Sequence, residues 1–509
     1  MMDQDFPPPA SCVVFAMKHP RRAAATVATA VLLVAVAFSL GQNQKPGSGA
    51  STTTSEKPLT PEQIAKKELT TRIHAPSPIP DRVILTWPSS ETTTAQAVTW
   101  RTDTSVTAAV AQIALADPGP GVESGWRGYD PGKVKTVSAR TTPLTTGLNI
   151  AHYHSARFTE LRPKTRYMYR VGDGRNWSEW FQFDTPSLDP EPFGFIYFGD
   201  AQNAIKSLWS RVARGAYSDM PKAKFIIHAG DLVQNGADDA DWGEWHSAAG
   251  WINGMIPSIP SPGNHEYGGK TGLTDHWRPQ FTLPEDGPSG LAETCYYHDI
   301  QGMRVICLNS NEKVKEQTPW LEKVLASRPP SIRWTVITFH HPIYSTGKGR
   351  DNKTIREAWR PIFDRYNPDL VLTGHDHTYG RSGLMREDNL MTGSQVHTSS
   401  GTVYVVSVSG AKMYDLGDLP WTASKTANTQ LYQLIRVDGD LLKYEARTAR
   451  GDVFDAFELR RRSGGGNSLE ERQPGGTDAD RGRKYENAAA GAAILALIAV
   501  AVGWAVRRR

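Results

Sequence analysis

Three cysteines are all that this 509-residue chain contains, and none forms a CxxC pair. That excludes a thiolate zinc cluster and a fold held together by many disulfides. A surplus of charge is missing as well: 57 Lys and Arg stand against 53 Asp and Glu, a formal net charge of +4. No basic stripe with interleaved aromatics accompanies this balance, so nucleic acid is not expected as a partner. The length exceeds what one core organises, which points to two or three domains.

Charge is also absent from both ends. Lys18, Arg21 and Arg22 precede an uncharged run from Ala23 to Leu40, the pattern of a signal peptide or an uncleaved anchor. Ala35 to Ala37 offer a small-residue cleavage site, so both readings of residues 1–40 stay open. A second uncharged run covers 488–506 and ends in Arg507, Arg508 and Arg509. At ~1.5 Å per residue it just spans a ~30 Å hydrocarbon layer, and it has no polar face. It is read as a transmembrane helix.

Between the ends the pattern changes twice. Residues 41–80 are rich in Ser, Thr, Pro and Lys and read as a linker. Residues 81–186 carry short alternating runs such as RVILTW, AQAVTWRT, HYHSARFTEL and RYMYRVG, separated by Gly, Pro and Asp. This spacing predicts an all-β sandwich. Residues 190–462 instead alternate fully apolar strands (FGFIYF, FIIHA, WTVITF, DLVLT) with helical stretches, which predicts an α/β domain whose strands are covered on both faces. Residues 463–487, with SGGG and PGG, read as a flexible linker to the transmembrane helix. Cys295 and Cys307 flank a hairpin turning near Gln301-Gly302; a cross-strand disulfide and two buried thiols are both open, the thiols being expected.

The chemistry collects where the apolar strands stop. Their ends carry Asp200, Asp231, His340-His341 and His375-Asp376-His377, and the loop PGNHEY adds Asn264, His265 and Glu266. In α/β sheets, sites form at the carboxyl ends of the strands, so residues distant in sequence converge. Carboxylates, a carboxamide and imidazoles are hard to borderline ligands that suit Mn, Zn, Fe or Mg. The set is too large for one ion. Two ions sharing a carboxylate can clamp the attacking and leaving oxygens of a phosphoryl displacement and generate hydroxide near neutral pH. One fragment alone would be weak evidence; four in order, each at a strand end, are not.

In these blocks the chain resembles the calcineurin-like metallophosphoesterases, specifically their purple acid phosphatase branch. The branch pattern is GDxG, GDxxY, GNH(D/E), VxxH and GHxH; here it reads GDAQ (199–202), GDLVQ (230–234), GNHE (263–266), ITFH (337–340) and GHDH (374–377). The resemblance implies a fibronectin-III-like sandwich ahead of an α/β/β/α catalytic domain. It also implies Asp200 and His377 on a first metal, Asp231 bridging, and Asn264, His340 and His375 on a second. His265 would be the general acid that protonates the leaving alkoxide.

Three positions depart from the pattern: Ile337 for Val, a harmless exchange, Gln202 for the second glycine of GDxG, and Gln234 for the tyrosine of GDxxY. Gln234 stands where the branch has the tyrosine that binds ferric iron and colours the enzyme, and Gln202 stands where the wider superfamily often has a histidine. Either amide oxygen is a candidate for the first metal. An Fe(III)–tyrosinate centre is not expected; a colourless enzyme working with two divalent ions is. Glu266 is a candidate for orienting His265 or capping a turn. His341 is a candidate ligand or support, and alternation along a strand would turn it away from the metals. Lys348, Arg350 and Lys353 in a Gly-containing loop, and Arg381 after GHDH, are candidates for phosphate contacts. His228 inside an apolar strand reads as core. The expected function is a phosphomonoesterase acting on phosphorylated small molecules, anchored to the membrane with its catalytic domain outside the cytoplasm. Its rivals are a phosphodiesterase or nucleotidase on the same site, and a non-catalytic surface binding module.

Overall fold

Apolar residues alternating with polar ones build the first described domain. Strands Asp81–Thr86, Gln96–Thr102, Ile150–Phe158 and Arg140–Thr145 form one antiparallel sheet, and Lys135–Ser138, Val110–Leu115, Arg166–Gly172 and Phe181–Asp184 form the other. Leu85, Val98, Trp100, Ile113, Phe158, Tyr169 and Phe183 interleave between them. Strands Lys135–Ser138 and Arg140–Thr145 were not legible as strands. Each is an edge strand with mostly solvent-facing side chains, so no apolar alternation marks it.

The computed structural model describes residues 60–472, apart from 269–271 and 387–400. The N-terminal signal or anchor and the 488–506 helix lie outside the described residues. Among the described residues, no helix is long and apolar enough to cross a membrane. Within the stretch read as linker, Pro61–Ile73 is a helix, which corrects that reading. The Thr60 hydroxyl accepts the Gln63 N–H at 3.2 Å and the Gln63 side chain accepts the Thr60 N–H at 2.9 Å, a capping box followed by Pro at the first helical position. None of its residues is buried, so it lacks the apolar stripe that announces a helix.

The second domain holds two seven-stranded sheets. In one, Ser258–Ser261, Ile226–Ala229 and Phe193–Phe198 run parallel, and Leu431–Asp438, Leu441–Thr448, Val453–Arg461 and Asn467–Arg472 continue antiparallel. In the other, Met303–Cys307, Trp334–Thr338, Leu370–Thr373 and Val403–Val406 form a parallel centre, with Tyr296–Ile300 antiparallel at one side and Tyr379–Ser382 and Thr422–Thr426 at the other. Alternate residues of this sheet serve different cores. Val305, Val336, Leu370 and Val405 join the first sheet's Phe195, Ile196 and Leu434, whereas Ile306, Ile337, Val371 and Tyr404 join helices Thr318–Ala326 and Lys353–Tyr366. Two-sided burial explains why these strands read as continuous apolar runs.

One boundary moves. Asn467–Arg472 is the seventh strand of the first sheet, so the expected 463–487 linker begins within the fold. The glycines read as flexible make its turn: the Arg462 N–H donates to Gly466 O at 3.1 Å, with Gly465 and Gly466 in left-handed backbone. Helix Asp239–Ala249 carries no apolar periodicity that marks it in the sequence. It seats the sandwich: Asp239, fully buried, takes Arg82 at 2.7 Å and Arg101 at 3.2 Å from the two sandwich strands facing it. Cys295 and Cys307 are buried free thiols.

Candidate metal centre

The two parallel strands Phe193–Phe198 and Ile226–Ala229 of one sheet, and Trp334–Thr338 and Leu370–Thr373 of the other, end at one place. Just past those ends the backbone reverses sharply. Asp200, Asp231, His375 and His377 all adopt left-handed backbone, with φ of 35°, 49°, 74° and 49°. Each costs roughly 1–3 kcal/mol, a strain tolerated where surrounding structure fixes it and function needs it. Two motif glycines allow the close approach. A Cβ on Gly263 would overlap Asp231 Oδ1, and one on Gly374 would overlap Asp200 Oδ2. The Asp200 Oδ2 atom instead accepts the His375 N–H at 2.7 Å.

The donor atoms meet in two overlapping clusters, Asp200–Asp231–His340 and His340–His341–His375, with the atoms of each within 4.8 Å of one another. His340 Nε2 lies 3.1 Å from Asp231 Oδ2, 3.1 Å from Asn264 Oδ1 and 3.0 Å from His375 Nδ1. Its Nδ1–H donates to Ala229 O at 3.0 Å, which turns Nε2 toward the other donors. His377 is held the same way, Nδ1–H to Lys412 O at 3.0 Å, with Nε2 3.8 Å from Asp200 Oδ1. Asp200 Oδ1 and Gln202 Oε1 are buried without a hydrogen-bond partner among the described residues. Such atoms are rare unless something else meets them. Oxygens and imidazole nitrogens without a thiolate fit a pair of divalent ions, and the clusters are positioned to coordinate one.

The electrostatics agree. Burial lowers the pKa of His377 and His341, both to about 3, and that of His375 further, keeping three imidazoles neutral and able to ligate. Burial raises Asp200, and the neighbouring charge of Asp231 raises it more. Burial also pushes Asp231 up, but His340 outweighs it and holds Asp231 below the usual carboxylate range. Burial pushes His340 down, but Asp231 outweighs it and raises His340 to about 9, so a protonated imidazole balances the carboxylate where a metal cation would take over that role.

Models of known families match both domains: "Purple acid Phosphatase, N-terminal domain" over residues 80–185 and "Calcineurin-like phosphoesterase" over 195–379. The chain carries a calcineurin-like metallophosphoesterase domain behind a domain of purple acid phosphatase N-terminal type. An uncharacterized protein of Mycobacterium tuberculosis is 30% identical over 293 residues, covering 50% of this chain and 54% of that one. A purple acid phosphatase of Glycine max is 25% identical over 283 residues, 52% of this chain and 61% of that one. The match thus spans little more than half the length of these relatives. The structure of purple acid phosphatase PPD1 from yellow lupin shares the fold at a TM-score of 0.61 and 18% identity, over 76% of this chain and 75% of that one.

Within the phosphoesterase domain, the residues expected to act fall into three groups. Asp200, Gln202, Asp231, Asn264, His340, His375 and His377 come together, with His265 beside them. His341 joins them, against the expectation from strand alternation. Its strand stops at Thr338, so alternation no longer governs it, and its ring lies 4.1 Å from that of His375. Arg381 does not join. It is buried between Asp455 at 2.8 Å and Glu471 at 2.9 Å, its charge already matched, and it supports the sheet rather than a substrate. Lys348 and Lys353 are exposed, Lys353 paired with Glu357 at 3.7 Å, whereas Arg350 lies against His375 Nε2 with its Nε 2.8 Å from Asp376.

Three supports were not legible in the blocks. Asp376, between the two histidines of GHDH, accepts the N–H groups of Thr346 at 2.6 Å and Gly347 at 3.2 Å, and so holds the Arg350 loop. Tyr414 packs on the His377 ring at 4.7 Å and under the Arg350 guanidinium at 5.2 Å, from a segment with no motif. Ser310 bonds His341 Nδ1 at 2.9 Å. Glu266 does not orient the His265 ring. It caps the Asp231 turn, accepting N–H groups from Asp231, Leu232, Val233 and Gly263 at 3.0, 2.8, 3.3 and 2.7 Å. Glu266→Gln replaces half of this acceptor with a donor. It is expected to weaken metal affinity roughly 10–100-fold, measured by equilibrium dialysis; unchanged affinity would refute the positioning role.

Proposed function

We propose that this chain hydrolyses phosphomonoesters as a dinuclear phosphatase of the acid phosphatase type, tethered to a membrane with its phosphoesterase domain outside the cytoplasm. The observation that carries the catalytic part is the convergence of two carboxylates, a carboxamide and four imidazoles beside a free-standing histidine at the mouth of a cleft. The cleft measures ≈ 910 Å³ and is lined by His265, Asn264, His341, Tyr267 and Lys353 among others. The likeness to the Glycine max phosphatase supports the monoester reading.

The chain's own groups have distinct tasks. The His265 backbone N–H donates to Asp231 Oδ1 at 3.0 Å and its Nδ1–H donates to the Gln234 carbonyl. That leaves Nε2 facing the site, 3.9 Å from Asp231 Oδ2, where it can hand a proton to a leaving oxygen. Arg350, braced by Asp376 and stacked over Tyr414, presents a fixed guanidinium beside the second cluster and can pair with phosphoryl oxygens. When bound, the two ions supply Lewis-acid polarisation and activated water. His340, common to both clusters, and Asp231 beside it at 3.1 Å would set their spacing.

Two outcomes test this. With divalent metal added, His265→Ala is expected to lower kcat for alkyl phosphates by roughly 10²–10⁴-fold and for activated aryl phosphates far less, while Arg350→Ala raises KM for both. Equal loss on the two substrate types would remove His265 as the acid. Faster turnover of diesters than of monoesters by the unaltered enzyme would favour a phosphodiesterase instead. The tether reading rests on the uncharged runs 23–40 and 488–506. Intact cells expressing the chain should hydrolyse an impermeant phosphate ester and lose that activity to added protease; activity appearing only after lysis would contradict the placement.

A further inference from the structure

The resemblance implies Asp200, Asp231 and His377 at the first metal position, and His377 Nε2 does lie 3.8 Å from Asp200 Oδ1. A borderline divalent ion takes at least four ligands. The Gln202 side chain, fully buried, reaches into the same space. Its Nε2 lies 2.9 Å from Asp231 Oδ2 and 2.9 Å from His377 Nε2, and its Oε1 has no partner among the described residues. The arm is fixed at its root, where the Gln202 N–H donates to the Asp231 carbonyl at 3.2 Å. A half-turn of the terminal amide exchanges nitrogen and oxygen without moving the chain. Oε1 would then share its space with a carboxylate oxygen and the Nε2 lone pair. Three such atoms repel one another unless a cation sits between them.

Gln234, the other amide, is placed differently. Its Oε1 is also buried without a hydrogen-bond partner among the described residues, but its backbone carbonyl takes the His265 Nδ1–H and the residue borders the cleft. Among the described residues it makes no hydrogen bond to Asp200, Asp231 or His377.

We propose that Gln202 is a ligand of the first metal through Oε1, and that it makes this position the weaker and more exchangeable of the two. The inference rests on the dinuclear reading above. The first ion would be held by Asp200, a shared Asp231, one imidazole and a neutral amide. The second has Asp231, Asn264 and the imidazoles of His340, His341 and His375 within reach. An amide oxygen is neutral and a poorer donor than imidazole or phenolate, so the asymmetry follows from the donor sets.

The test uses the full-length chain with Mn(II), counting bound ions by equilibrium dialysis and elemental analysis and following them by electron paramagnetic resonance. The unaltered chain should hold two ions and show a coupled-pair signal. Gln202→Ala should weaken the more loosely held ion by at least roughly 10–100-fold and leave the signal of an isolated Mn(II). Gln202→Glu, of the same shape, should keep both ions, and Gln234→Ala should keep both with unchanged affinity. Unaltered affinity in Gln202→Ala, or loss of the first ion in Gln202→Glu, overturns the ligand role; the latter is what donation from the amide NH₂ would require. If Gln202→Ala loses both ions through misfolding, Gln202→Glu still decides. A single ion on the unaltered chain would sink the dinuclear reading itself, whereas a failure confined to the Gln202 variants leaves that reading standing.

Discussion

The Asp231 carboxylate is the constraint on which the rest of the site depends. It is buried, it terminates a strand of the first sheet, and it must reach groups carried by the second. Burying an uncompensated carboxylate costs several kcal/mol. Asp231 is compensated by the His265 N–H on one oxygen, His340 on the other, and Glu266 on its own backbone N–H.

Two sheets packed face to face make this arrangement possible. Each contributes the carboxyl ends of parallel strands, and those ends meet above a core that both sheets share. Rigid strands stop at the site's edge, and the ligands sit on turns whose left-handed backbone would relax if it were not held. Glu266 and Asp376 do the holding. Each accepts consecutive backbone N–H groups with a buried carboxylate, one for the Asp231 turn and one for the Arg350 loop. The sandwich is locked to the same domain through Asp239, two strands of it donating Arg82 and Arg101. Because the sandwich docks on helix Asp239–Ala249, it belongs to the scaffold behind the metal centre.

Most of the ligand set was legible because each member closes an apolar run, and such runs read clearly when a strand is buried on both faces. The supports were less legible for physical reasons. The task of Asp376 is hidden because nothing in GHDH says that its side chain turns back to backbone N–H groups thirty residues earlier in the chain. Arg381 looked available for phosphate because Asp455 and Glu471, which neutralise it, arrive from other strands. Strand alternation misplaced His341 because the strand ends two residues before His340. The helix Pro61–Ile73 and the strand Asn467–Arg472 hid in compositions that resemble linkers, since neither has a buried apolar stripe to betray it.

Local chemistry is what the sequence determined alone: which residues can ligate, and that no thiolate is among them. These follow from residue identity and from the abrupt end of apolar runs. Only the tertiary structure decided which of the two amides lies against Asp231 and His377, which arginine stands beside His375, and which carboxylates hold backbone. Those questions concern distances between segments far apart in the chain. The packing of two sheets sets such distances, and no local pattern encodes them.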